Sequence, residues 1–118
     1  MHACPQCHGP LRLSELACDG CGLALRARFT RSRLARLDPG EQQLVEALLL
    51  AGGNLKALER ELGVSYPTVR KRVGEARASL ERLRREDERA IAAWLDQVER
   101  GELPADEAAR MIGGLHGS

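Results

Sequence analysis

Residues 53–73, GNLKALERELGVSYPTVRKRV, read as two short helices around a tight turn. Asn54 suits a helix cap, and Leu55, Leu58 and Leu62 follow at the spacing of one buried face. Gly63 permits the left-handed backbone of a sharp turn, and Val64 plugs the junction. Ser65 can cap the next helix, where Pro67 falls in the first turn and Val69 and Val73 point to the same core. Upstream, Asp38, Pro39 and Glu41 form a start signal with a capping box. Leu44, Val45, Leu48 and Leu49 make an apolar stripe, and Gly52-Gly53 stops that helix. Before it, TRSRLARL is a short amphipathic piece with Leu34 and Leu37 on one side. Three short helices with this turn fit a helix-turn-helix.

In that geometry the exposed start of the last helix enters a major groove. The residues left outside are Tyr66, Pro67, Thr68, Arg70, Lys71 and Arg72. Thr68 suits a base edge or a thymine methyl, and the cations suit phosphates or guanine. The bland alternative is a helical hairpin with a solvated basic face.

Composition narrows the choices. The chain has 118 residues, 43% hydrophobic but only 3% aromatic, so its core is built from Leu, Val and Ala and helices are favoured. Net charge is +1, which alone selects no partner, but the charge is segregated. Residues 26–36 hold five arginines and no acid, among them Arg26, Arg28, Arg31 and Arg33, a set suited to phosphates. The longest apolar run, LVEALLLA, is too short to span a bilayer. The start, MHACPQC, lacks the basic flank and apolar stretch of a secretory signal, so a cytoplasmic location is expected.

All four cysteines lie in the first 21 residues as C-x2-C, ten intervening residues and C-x2-C: Cys4, Cys7, Cys18 and Cys21. Two such knuckles complete a tetrahedron around one zinc ion. Four thiolates leave no open position, so the expected zinc is structural and not catalytic. A disulfide framework is the weaker reading in a reducing compartment. His8 is a bystander beside a metal already satisfied, and His2 and His116 are expected to be solvated. No Ser-His-Asp or Cys-His constellation is legible, so no enzyme and no small-molecule substrate are expected. Leu11, Leu13 and Leu16 suggest a short hairpin between the knuckles. After Cys21, Leu23, Leu25, Ala27 and Phe29 alternate with Ala24, Arg26 and Arg28, the period of a half-buried strand.

CPQC, CDGCG, RFTRSRLARL and above all GNLKALERELGVSYPTVRKRV resemble the bacterial family filed as domain of unknown function 2089. The resemblance covers about residues 4–85 and implies a zinc ribbon joined to a helix-turn-helix in a transcriptional regulator. The helix pair is also similar to those of the factor-for-inversion-stimulation type. That likeness implies that Tyr66, Thr68, Arg70 and Lys71 lie at or near DNA. The family pattern often has Gly where this chain has His8, which implies a looser first knuckle.

From Val69 onward, Val69, Val73, Ala76, Leu80 and Leu83 step by four and three, a heptad stripe that Asp87 is expected to break. The recognition helix either continues as a long stalk or bends near RREDER. Charged pairs four apart, such as Arg77 and Glu81, support a solvated face there. Ala90, Ile91, Trp94, Leu95 and Val98 form a further stripe. Gly101 ends it, and Asp106-Glu107 open a last short helix with Ala108, Met111 and Ile112. This end resembles the hairpins called short C-terminal domains (SHOCT-like). Trp94 is either a small-core residue or an interface anchor; Trp94, Leu95 and Val98 are the expected self-association residues.

The expected fold is mainly α: a small zinc ribbon of β-hairpins over residues 1–29, a helix-turn-helix over 30–85 and a C-terminal helical hairpin over 86–118. The expected function is a zinc-containing regulator that binds double-stranded DNA as a homodimer or higher homo-oligomer, with no membrane partner. The alternative is a protein–protein adaptor in which the helix-turn-helix is scaffold.

Overall fold

The computed structural model describes residues 3–115; His2 and His116 lie outside that range. The element order is β1 (Leu13–Ala17), β2 (Ala24–Phe29), α1 (Arg33–Arg36), α2 (Pro39–Leu50), α3 (Leu55–Leu62), α4 (Tyr66–Glu99) and α5 (Ala105–Leu115). The chain is therefore mainly α with a two-stranded N-terminal hairpin. It divides into two compact units, one formed by Arg33–Ala90 and the other by Met1–Ser32 with Ile91–Ser118.

In the first unit each helix starts where a side chain can occupy an orphan amide. Asp38 accepts from the Glu41 amide at 2.8 Å, with Pro39 at the first helical position. Asn54 accepts from the amides of Lys56 and Ala57 at 2.9 and 3.3 Å. Gly63 takes φ 66° and closes α3 by donating its amide hydrogen to the Glu59 carbonyl, so the chain can turn without a Cβ clash. Ser65 accepts from the Thr68 amide at 3.4 Å to start α4.

These turns fold α2, α3 and α4 onto one core of Leu44, Leu58, Val69 and Ala76, with Ala47, Leu48, Leu55, Leu62, Val64 and Val73 packed around it. Leu58 and Val69 are fully buried, and truncating either would cost about 3 kcal/mol. Two expectations change here. Leu49 is 71% exposed because it lies about 140° round the helix from Leu44; Ala47 takes its place in the stripe. Leu34 is half exposed while Leu37 is buried, so the two do not share one covered side. Gln42 holds the end of α1 by donating to the carbonyls of Leu37 and Ala35 at 2.7 and 3.1 Å.

α4 does not break. α4 runs without interruption for 34 residues. Asp87 falls on the four-three stripe that runs from Val69 through Leu80 and Leu83 to Ala90 and Trp94, and it is buried. Its carboxylate is answered there by Arg33 and Arg36 of α1, so the acid does not force the helix open.

In the second unit, β1 and β2 pair antiparallel, with Leu16 opposite Leu25 and Leu13 opposite Phe29. A bulge between Leu13 and Glu15 lets the two leucines share a face although they are three apart. The hairpin expected between the knuckles is thus one strand, and its turn is the second knuckle itself, where Cys18 donates to the Leu23 carbonyl at 2.7 Å. The half-buried face expected for β2 is also absent: Leu23 and Leu25 are 58% and 53% exposed, and only Phe29 is partly covered. Downstream, Gly101 at φ 73° ends α4, and α5 buries Ala108 and Leu115. Gly114 approaches Thr30 so closely that any side chain at 114 would overlap it.

Candidate metal centre and nucleic-acid interface

The two C-x2-C segments adopt one local fold. In the first, His8 donates its amide to the Cys4 carbonyl at 2.9 Å, and Cys4 donates to Gly9 at 2.8 Å. In the second, Gly22 donates to Cys18 at 2.8 Å, and Cys18 donates to Leu23 at 2.7 Å. His8 and Gly22 occupy equivalent positions, with φ 61° and 78°. The first knuckle is therefore not looser, as the missing glycine implied; His8 is held in the left-handed region at a cost of about 1 kcal/mol.

Both knuckles prepare their first sulfur for a cation. The backbone amides of Cys7 and Gln6, and the Cys7 side chain, hold the Cys4 thiol below its ordinary pKa. Those of Cys21 and Gly20, with the Cys21 side chain, do the same for Cys18. Amide donors stabilise the thiolate, the form that binds metal. The donor set and knuckle geometry thus fit zinc pair by pair. Among the described residues, no group of three or more His, Cys, Asp or Glu side chains is gathered closely enough to hold a metal ion.

The first turns of α4 divide into a covered side and an open one. Val69 is fully buried and Val73 half-buried, whereas Pro67, Arg70, Lys71 and Arg72 are exposed. Tyr66 and Thr68 are half-buried, and the Thr68 hydroxyl is within 2.8 Å of the Ser65 hydroxyl. Thr68 accordingly helps to cap the helix as well as bordering its outer face. Arg72 lines a depression with Asp38, Glu41 and Glu75, which places it on the α2 side of α4.

The arginines of residues 26–36 separate into distinct environments. Arg26 is highly exposed and bonded to Glu15 at 2.7 Å, while Arg28 is exposed. Arg12, which sequence reasoning passed over, lines the same depression as Arg26 and Arg28. Arg31 is half-buried and has a bonding partner of its own. Arg33, also expected to hold phosphates, is partly buried, and its Nε donates to Asp87 at 2.8 Å. Arg36 joins it with a 2.6 Å bond from Nη2, and its Nε is buried without a hydrogen-bond partner among the described residues. Burial would raise the Asp87 carboxyl, but the hydrogen bonds and charges of Arg36 and Arg33 outweigh it and hold the carboxyl below its usual value. An acid at an apolar stripe position, preceded by an R-x-x-R helix, was the signal for this clasp.

Of the self-association residues, Trp94 and Val98 are half-buried and Leu95 is 52% exposed. No helix among the described residues is long and apolar enough to cross a membrane.

Residues 4–35 match the family described as DUF2089 zinc ribbon, and residues 37–82 match domain of unknown function (DUF2089)-HTH. No curated protein and no solved structure matches the chain. The two matches meet at the short α1 and cover the ribbon and the whole three-helix core, so the chain belongs to the DUF2089 family, with a zinc ribbon followed by a helix-turn-helix.

Proposed function

We propose that this chain is a cytoplasmic, non-enzymatic transcriptional regulator that reads double-stranded DNA with the first turns of α4. One observation carries the reading: the helix buries Val69 completely and leaves Arg70 and Lys71 exposed beside it. A helix anchored on one side and cationic on the other suits a major groove. Arg70 and Lys71 meet base edges or phosphates, with Pro67, Tyr66 and Thr68 at the leading end and Arg72 at the flank. Arg26, Arg28 and Arg31 supply sequence-independent phosphate contacts from the ribbon. One structural zinc ion holds Cys4, Cys7, Cys18 and Cys21 together. The protein acts as a homodimer through Trp94, Leu95 and Val98, as helix-turn-helix readers of paired half-sites commonly do.

Selection of bound fragments from genomic DNA by the zinc-loaded protein tests this. Enrichment of one sequence family supports a regulator, and an enriched palindrome supports the dimer. A second reading, a protein–protein adaptor, is favoured by the leucines left open on the ribbon, Leu16, Leu23 and Leu25. It predicts no enrichment of any duplex and retention of a specific protein by the intact chain.

A further inference from the structure

We propose that the DNA-binding surface of α4 continues beyond its first turns along the outer face of the helix, where Arg82, Arg85 and Arg89 hold phosphates of the strand that borders the groove. This rests on the reading above that the start of α4 enters a groove, and extends it within the unit Arg33–Ala90.

Opposite the covered side that carries Val69, Ala76 and Asp87, steps of three and four lead from Lys71 through Gly74 and Ala78 to Arg82, Arg85 and Arg89. Every residue of that line is exposed. It carries four cations and no acid. The five acids of residues 66–90 lie elsewhere: Asp87 on the covered side, and Glu75, Glu81, Glu86 and Glu88 about 60° or more round the helix from the midline of the stripe. A solvated helix face ordinarily mixes both signs and closes them in pairs four apart. Here Arg77, on the flank, bonds Glu81 at 3.2 Å, whereas Lys71, Arg82, Arg85 and Arg89 make no ion pair among the described residues. Like charges left unpaired along one line suit a polyanion whose own charges lie in a row.

The spacing fits a duplex. Arg82, Arg85 and Arg89 stand about 16, 21 and 27 Å along the helix from Lys71. A major groove is about 12 Å wide, so a helix whose start lies in it must pass the sugar–phosphate ridge at the edge within its next few turns. Gly74 and Ala78 occupy that part of the stripe, and with no side chain beyond a methyl they let the helix backbone lie close to the ridge. The chain itself does not require glycine at 74. A Cβ there would meet nothing within 4 Å, and the backbone is not left-handed, although glycine weakens a helix interior. The three arginines follow where the ridge has been reached.

Titration of a fluorescent mixed-sequence duplex of about 30 base pairs with the full-length zinc-loaded protein, over a range of salt, tests this. Arg82→Ala/Arg85→Ala/Arg89→Ala should bind about tenfold or more weakly and lower the salt slope by about three. Arg82→Lys/Arg85→Lys/Arg89→Lys should keep the slope of the parent, because the charges remain. Ala78→Glu, which sets an acid in the middle of the stripe, should weaken binding where Ala78→Gln does not. Circular dichroism of each variant should give the helix content of the parent. A parent that binds no duplex overturns both this surface and the reading of the first turns. A parent whose slope falls in Arg70→Ala/Lys71→Ala but not in the triple alanine variant overturns this surface alone. A slope that falls equally in the triple alanine and triple lysine variants overturns it too, since charge would not be what the phosphates meet.

Discussion

Asp87 Oδ2 accepts from Arg36 Nη2 at 2.6 Å, on a carboxylate side chain only 3% exposed. With Arg33 as second donor, this contact ties the short α1 to the middle of α4 and so gives the unit Arg33–Ala90 a clasp beyond its leucine core. Asp87→Ala leaves two guanidinium groups facing a space built for an anion. The expected loss is about 3 kcal/mol in chemical denaturation, with helix content preserved. A change below about 0.5 kcal/mol would mean that the clasp is incidental.

The same carboxyl makes a pH prediction. Its folded-state value lies below the ordinary 3.8, so its contribution is complete above that value and is lost as pH falls through the lower folded value. The stability gap between the parent protein and Asp87→Asn should therefore be flat near neutrality and shrink below pH 3.8. A gap that closes at higher pH would place the carboxyl in the wrong environment.

His8→Gly should strengthen the ribbon. It relieves the positive φ of 61°, and the greater freedom of glycine when unfolded offsets part of the gain. Competition with a chelator should report zinc held about two- to fivefold more tightly. Weaker retention would show that the His8 ring contributes something the backbone does not reveal.

Gly114→Ala sets helix propensity against packing. Alanine favours a helix by about 1 kcal/mol, but its methyl would occupy the place of Thr30, at a cost of about 1–3 kcal/mol. We expect net destabilisation and faster proteolysis around residues 101–104, with recovery in Gly114→Ala/Thr30→Gly. A more stable single variant would mean that α5 does not rest against Thr30.

Much of this was legible in the sequence, because local signals agree with their context. Asp38, Asn54, Gly63 and Ser65 each mark a helix boundary through their own backbone chemistry. What could not be read depends on partners distant along the chain. Asp87 looked like the end of an apolar stripe until Arg33 and Arg36, more than fifty residues earlier, came to meet it. The alternation of β2 marks a strand, but alternation says nothing about whether another element covers Leu23 and Leu25. The cysteine spacing pointed to each knuckle, since a knuckle is local; bringing two knuckles onto one ion is a longer-range event.

Titration of a fluorescent duplex with the zinc-loaded protein, at about 50 and about 200 mM salt, tests the α4 reading most directly. Arg70→Ala/Lys71→Ala should weaken binding and lower the salt slope by about two, one unit for each phosphate-facing cation removed. Equal affinity and equal slope in parent and variant would take the start of α4 out of any DNA interface.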